Sequence, residues 1–309
     1  MSEFTESVQQ ALRNVPHLSD ITLTDSQLVR LGGLTNVVHR VDLAKETLIV
    51  RIPGKGTEEY IDRAVELNNA IAAARAGVSA EVIWGDAGSG IMVSRCIEDI
   101  VTMTPESFSE RPGAPERATL AFRKLHQSGE TFQFRFELFS MIEDYLKVLS
   151  GKDSELPEGY SEIVEAAEPV KTVLSENESA LAPCHCDPLC ENFLDDGTLM
   201  WIVDWEYSGM NDPMWDLGDL SVEAGFTEEQ DRAMMDAYFD GQASDADYGR
   251  MVVYKAMCDL LWTLWGLIQH ADKNPADDFW AYSVNRFERC KTLMRSSEFE
   301  AHLEAIRAG

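Results

Sequence analysis

The chain is 309 residues long, 45 % hydrophobic and 9 % aromatic, which is enough apolar side chain for a sizeable core divided between two lobes and far too much for disorder. Its 54 acidic side chains outnumber 26 basic ones, for a net charge of -28; such a surface serves solubility or salt tolerance, repels nucleic acid and anionic lipid, and attracts cations. Met1 to Gln10 lacks the basic start and apolar core of a signal peptide, and the longest apolar run, Leu260 to Ile268, is too short to cross a bilayer, so a soluble, cytoplasmic protein with reduced thiols and no membrane insertion is expected.

Ser19 to Val50 reads as strand-forming, with Leu28–Leu31 leading into Gly32-Gly33 and Val37–Val41 leading out, an antiparallel hairpin around a glycine pair. Thr47–Ile52 is a further strand that stops at Pro53-Gly54. Glu58 to Ala76 has the alanine-rich pattern of a helix, closed by Gly77. Val82–Trp84 and Gly90–Ser94 form another strand pair around Asp86–Ser89. These elements predict a small antiparallel-sheet lobe over residues 1–98, and a larger, mostly helical lobe over 99–309, an α+β architecture. In the second lobe Pro115–His126 and Met141–Ser150 read as helices flanking the aromatic stretch Phe132–Phe139. Asn192–Leu194 and Leu199–Val203 read as strands joined at Asp195-Asp196-Gly197, and helices follow to the end, broken near Gly241 and Pro275.

The chemistry concentrates in His185-Cys186-Asp187-Pro188-Leu189-Cys190-Glu191-Asn192. The thiols Cys184, Cys186 and Cys190 around His185 do not have zinc-site spacing. The segment instead fits H-x-D-x-x-x-x-N, the kinase catalytic loop, in which the aspartate takes the substrate hydroxyl proton and the asparagine holds Mg²⁺. Asp204 follows twelve residues later at the end of an apolar strand, where kinases place a second Mg²⁺ ligand. Asp204 and Glu206 would face the same side of an extended chain.

Together with Asp204-Trp205-Glu206-Tyr207-Ser208-Gly209 and Asp212-Pro213-Met214-Trp215-Asp216-Leu217, this run closely resembles the choline/ethanolamine kinases, in the wider group that includes the aminoglycoside phosphotransferases. The resemblance extends to Gly32-Gly33-Leu34-Thr35-Asn36 and Arg51-Ile52-Pro53-Gly54, and so spans most of the chain. It implies a bilobal, protein-kinase-like fold with ATP and Mg²⁺ between the lobes. Asp187 would be the base, with Asn192 and Asp204 as metal ligands. Gly32, Gly33, Thr35 and Asn36 would cover the phosphates, and Arg51 would clamp them, positioned by Glu66. Met92 to Glu98 would be the adenine hinge. Cys186 departs from the glycine or asparagine usual in the family, and Pro188 follows the base directly.

The substrate follows from Leu261 to Gln269, which resembles the choline-binding stretch of eukaryotic choline kinases. In that family two tryptophans and a tyrosine at this spacing form a cage, here Trp262, Trp265 and Tyr282. A quaternary ammonium offers no N–H and gains about 0.5–2 kcal/mol per aromatic face. Asp216 and Glu223, seven apart, would share a helix face directed at the cation, and by resemblance Glu223 lies nearer to it. The partner expected is therefore choline. The alternatives are kinases for ethanolamine, an aminoglycoside or thiamine, and a non-catalytic quaternary-amine sensor, against which the complete set Asp187, Asn192 and Asp204 argues.

Overall fold

The computed structural model describes residues 3–31, 36–54 and 61–309. Glu3–Arg13 forms α1. Leu28–Arg30, Asn36–Asp42 and Thr47–Pro53 form β1 to β3, Arg63–Ala76 is α2, and Val82–Gly85 and Met92–Arg95 are β4 and β5. The five strands make one antiparallel sheet in the order β1-β2-β3-β5-β4. Its buried side chains Val41, Leu48, Val50 and Val93 pack with Leu23 and with Val8, Ala11, Leu12 and Val15. Val8, Ala11 and Leu12 recur at helical spacing, with Val15 just past the helix end, so α1 is a lid over the sheet's apolar face.

α2 begins later than its composition suggests. The Asp62 carboxylate caps it by accepting the N–H groups of Ala64 and Val65, and Gly77, at φ 73°, ends it in the left-handed region where a β-carbon is costly. Glu58 and Glu59 lie outside the described residues. The cap fixes the rotation of α2 and turns Glu66, in its first turn, into the fold beside β3.

Beyond β5, Val101–Thr102 (β6), Pro105–Glu110 (α3), Ala114–His126 (α4), Leu138–Ser150 (α5) and Tyr160–Glu176 (α6) lead into Ala182–Cys184 (β7). Phe193–Asp195 (β8), Met200–Ile202 (β9) and Gly209–Asn211 (β10) follow, then Pro213–Ala224 (α7), Glu228–Phe239 (α8), Asp245–Ala271 (α9), Phe279–Met294 (α10) and Phe299–Ala308 (α11). β6, β8 and β9 form one small sheet and β7 pairs with β10 in another. β7 and β10 flank the segment from His185 to Ser208, and β8 and β9 lie within it.

α9 differs from expectation. At 27 residues it has the length and apolarity of a bilayer span, whereas the sequence showed only the short run Leu260–Ile268. It is the central helix of the lower part, with 83 % of its most apolar stretch buried inside the fold and α7, α10 and α11 packed around it. Gly218 of α7 makes one of these contacts possible. A β-carbon there would stand 2.8 Å from the Met251 carbonyl oxygen, closer than backbone allows.

Candidate active site

The catalytic-loop segment is held from behind. β7 delivers His185 and Cys186, and both backbone N–H groups donate to the Asp216 carboxylate at 2.8 Å. His126 Nε2 lies 2.9 Å from the same carboxylate. Asp216 is fully buried, so its role corrects the expectation that it faces a cation: it serves the loop's backbone, and satisfying its oxygens there offsets the cost of burying it. Cys186 sits at φ 67°, a region that costs a residue with a β-carbon about 1–2 kcal/mol. Its N–H is held by Asp216 and its carbonyl accepts from the Trp215 indole at 3.2 Å. The departure seen in the sequence thus falls at the one loop residue in the left-handed region, and the neighbours compensate for the missing glycine.

His185 is buried, which lowers its pKa and keeps the ring neutral. Its Nε2 donates to the Val203 carbonyl at 2.9 Å while Nδ1 accepts the Asp187 N–H at 3.3 Å. This links the loop to the strand end that carries Asp204. Asn192 Nδ2 donates to the Asp187 carbonyl at 3.1 Å, so one hydrogen bond closes the loop between the two residues named from its spacing.

Asp204 and Glu206 do converge, by a different route from strand alternation. β9 ends at Ile202, and Asp204 adopts φ 68°, so a left-handed turn, not an extended chain, brings the acids together. Arg51 on β3 pairs with Glu66, with Glu206 at 3.2 Å and with Asp204 at 3.9 Å. Arg63, absent from the sequence reading, bridges Glu66 and Glu206 at 2.8 Å each. Its signal was the spacing Arg63–Glu66 in a capped first turn. Asn36 Nδ2 donates to Glu206 at 3.1 Å. The remaining phosphate-loop candidates, Gly32, Gly33 and Thr35, lie outside the described residues.

The carboxylates of Glu66, Asp204 and Glu206 lie within 4.8 Å of one another, and Asp204 Oδ1 is buried with no hydrogen-bond partner among the described residues. Oxygen donors of this kind suit a hard divalent cation. Loss of water, then the Arg51 and Glu206 charges acting in opposite directions, push Asp204 up to about 7. Asp187 is pushed up to about 8, chiefly by loss of water and next by the negative charges of Glu223 and Asp204, with Arg286 opposing. Each acid is thus poised to give up its proton when positive charge arrives.

Beside Asp187 stands an array of rings. Trp262 and Trp265 of α9 have centroids 6.2 Å apart, and Trp265 meets Tyr282 of α10 edge-to-face at 5.8 Å. Tyr207 adds a ring 5.7 Å from Trp262. Burial, then the charge of Asp187, raises the pKa of the Tyr145 and Tyr207 hydroxyls, so both phenols lie in electrostatic reach of that acid. Neither received a role from the sequence. Trp262 is almost fully buried, and Trp265 and Tyr282 keep part of their surface in solvent. Glu223 comes toward the array from α7, where its carboxylate is paired with Arg286. One helical turn earlier, buried Asp219 has Oδ1 2.9 Å from the Cys258 thiol sulfur and Oδ2 without a hydrogen-bond partner among the described residues. All six cysteines are free thiols.

A five-stranded antiparallel sheet with one inserted helix, an arginine–glutamate pair beneath it and an H-x-D-x-x-x-x-N loop below define a phosphotransferase of protein-kinase-like fold. Residues 27–254 match the phosphotransferase enzyme family, and the chain belongs to it. Among solved structures, a choline/ethanolamine kinase family protein of Mesorhizobium loti is 57 % identical, with a TM-score of 0.90 and 99 % of each chain covered. The choline kinase LicA of Streptococcus pneumoniae is 26 % identical, with a TM-score of 0.76, covering 95 % of this chain and 99 % of its own. Ethanolamine kinase 2 of Rattus norvegicus is 26 % identical over 280 residues, 79 % of this chain and 69 % of that protein. The protein is a small-molecule kinase.

Proposed function

We propose that the protein transfers the γ-phosphoryl group of ATP to the hydroxyl of choline, giving phosphocholine and ADP. The observation that carries this reading is the ring array of Trp262, Trp265, Tyr282 and Tyr207, set within electrostatic reach of Asp187. Aromatic faces attract a cation that has no N–H to donate, while a substrate with several ammonium groups would call for many carboxylates and few rings.

Asp187 accepts the hydroxyl proton as the new P–O bond forms and the bond to the ADP oxygen breaks. A cation beside Asp187 favours its carboxylate, the form that accepts the hydroxyl proton. Arg51, held by Glu66, orients phosphate oxygens through its forked N–H groups. Asn192 and Asp204, with Glu206 and Glu66 behind, are the oxygen donors that would hold Mg²⁺. Mg²⁺, when bound, neutralises the phosphate charge. Most of the acceleration comes from positioning and charge neutralisation.

The test is ADP release with Mg-ATP across choline, ethanolamine, an aminoglycoside and thiamine. Choline is expected to give the highest kcat/KM. A higher value for any other acceptor overturns the assignment of choline.

A further inference from the structure

We infer that Arg286 is a specificity-determining residue: by occupying the Glu223 carboxylate and one face of Tyr282, it makes the cage select a quaternary ammonium over a primary one. This inference rests on the proposed choline kinase reading and names the feature that separates choline from ethanolamine within it.

Arg286 of α10 is buried, and its guanidinium is fixed on three sides. One terminal nitrogen donates to Glu223, the other reaches Asp259 at 3.3 Å, and the guanidinium carbon lies 4.8 Å from the centre of the Tyr282 ring. Asp259 is itself gripped by Arg289, at 3.0 Å and 2.6 Å through two nitrogens. The arginine is therefore braced from behind and presented forward to Glu223. It also lies close enough to Asp187 to lower that acid's pKa while Glu223 raises it, so the pair faces the reacting end of the site.

The two candidate cations differ in what they need from Glu223. A primary ammonium is strongly hydrated, and on entering the cage it must replace its water contacts with acceptors. The Glu223 carboxylate is the acceptor the fold places there, and Arg286 already holds its Oε1. Asp219, the other acid on this face of α7, is driven well above the usual carboxylate range by burial and then by the Glu223 charge, so it holds its proton and adds no second carboxylate. A quaternary ammonium has no N–H to satisfy. It loses no hydrogen bond when Glu223 is shared, since it has none to donate and the π-faces of the tryptophans remain. The ion pair also leaves the cage close to neutral, which favours a weakly hydrated cation over a strongly hydrated one. Arg286 and Tyr282 stand four apart on one helix face, so the same turn of α10 builds both the ring and the group that covers it.

The experiment measures kcat/KM for choline and for ethanolamine in the wild type, Arg286→Gln and Arg286→Lys, with a thermal melt of each. In Arg286→Gln the ratio of choline to ethanolamine is expected to fall about tenfold, the value of one hydrogen bond to a charged group regained by the primary ammonium. Arg286→Lys keeps the charge but cannot hold both Glu223 and Asp259, so a fall of about threefold is expected, between wild type and Gln. If both substrates lose equally in a folded Arg286→Gln variant, Arg286 only supports the structure and the inference is wrong. If Arg286→Gln does not fold, the Lys variant decides: an unchanged ratio overturns the inference and a lowered one sustains it. A wild type that phosphorylates neither acceptor refutes the choline reading itself, an outcome separate from any change of ratio among the variants.

Discussion

Asp187 shows how the property that suits a residue to chemistry costs stability. Burial, and next the charges of Glu223 and Asp204, push its carboxyl up to about 8 in the folded protein, against about 4 in an unfolded chain. Between those values the folded state keeps a proton that the unfolded state has released, so stability falls as pH rises. Asp187→Asn removes the ionisation and with it the penalty. The melting temperature of the variant relative to wild type is expected to be higher at pH 9 than at pH 5, and an equal difference at both would show that the carboxyl is unperturbed. Turnover should drop by about 10²-fold or more with little change in KM for ATP; near wild-type turnover would assign the base elsewhere. Asp204→Ala should abolish turnover, because no neutral side chain replaces a carboxylate facing a divalent cation, and retained activity would remove Asp204 from that role. At this scale the sequence was informative wherever spacing along the chain sets geometry. Asp187 and Asn192 were legible because five residues of one loop bring them together. Arg286 was not, and Arg63 only through its i,i+3 spacing to Glu66, since no local pattern announces a partner that is more than a hundred residues away, as Glu206 is from Arg63, or on another helix, as Glu223 is from Arg286.

Among the elements, α7 carries two duties at once. Asp216 near its start anchors the catalytic-loop backbone, and Glu223 near its end reaches the cage. Its seat on α9 is set by Gly218, whose added β-carbon would meet the Met251 carbonyl at 2.8 Å and the Lys255 backbone nitrogen at 3.1 Å. Gly218→Ala must therefore push α7 outward, and a cost of about 1–3 kcal/mol is expected from the overpacking. The displacement acts on both ends of the helix, so kcat should fall and KM for choline should rise together; a variant with wild-type melting and kinetics would show that α7 has slack. The cage tests another element pair, α9 against α10. Trp265→Ala should raise KM for choline about tenfold and leave KM for ATP in place, as expected for one lost cation–π contact. A loss of about 3–5 kcal/mol of stability with both KM values rising would instead mark the ring as core. The α9–α10 hairpin was readable from the tryptophan spacing and the break at Pro275. The helix α1 was not, because Met1 to Gln10 is mostly polar and acidic, and the apolar stripe shows only when Val8, Ala11 and Leu12 are counted together with Val15 just beyond the helix.

At the scale of the whole molecule, the charge of -28 would act in opposite directions on the two substrates proposed above, a cation and an anion. An acidic surface raises the local concentration of a cationic acceptor and repels anionic Mg-ATP. The arginines at the nucleotide end, Arg51 and Arg63, are already engaged by Glu66 and Glu206, so they do little to reverse the long-range field. Salt screens exposed charges over about 10 Å at 0.1 M and about 3 Å at 1 M, while the close contacts in the cage and around Arg51 are shielded less. Raising NaCl from about 0.05 M to about 0.5 M is therefore expected to move the two Michaelis constants in opposite directions, upward for choline and downward for Mg-ATP. The melting temperature should rise over the same range as self-repulsion among the carboxylates is screened. Replacing NaCl with a neutral osmolyte of equal osmolarity should leave both constants where they were, which separates charge screening from crowding or water activity. If the two constants move in the same direction, or neither moves, the acidic surface does not guide the substrates, and its effect is confined to solubility.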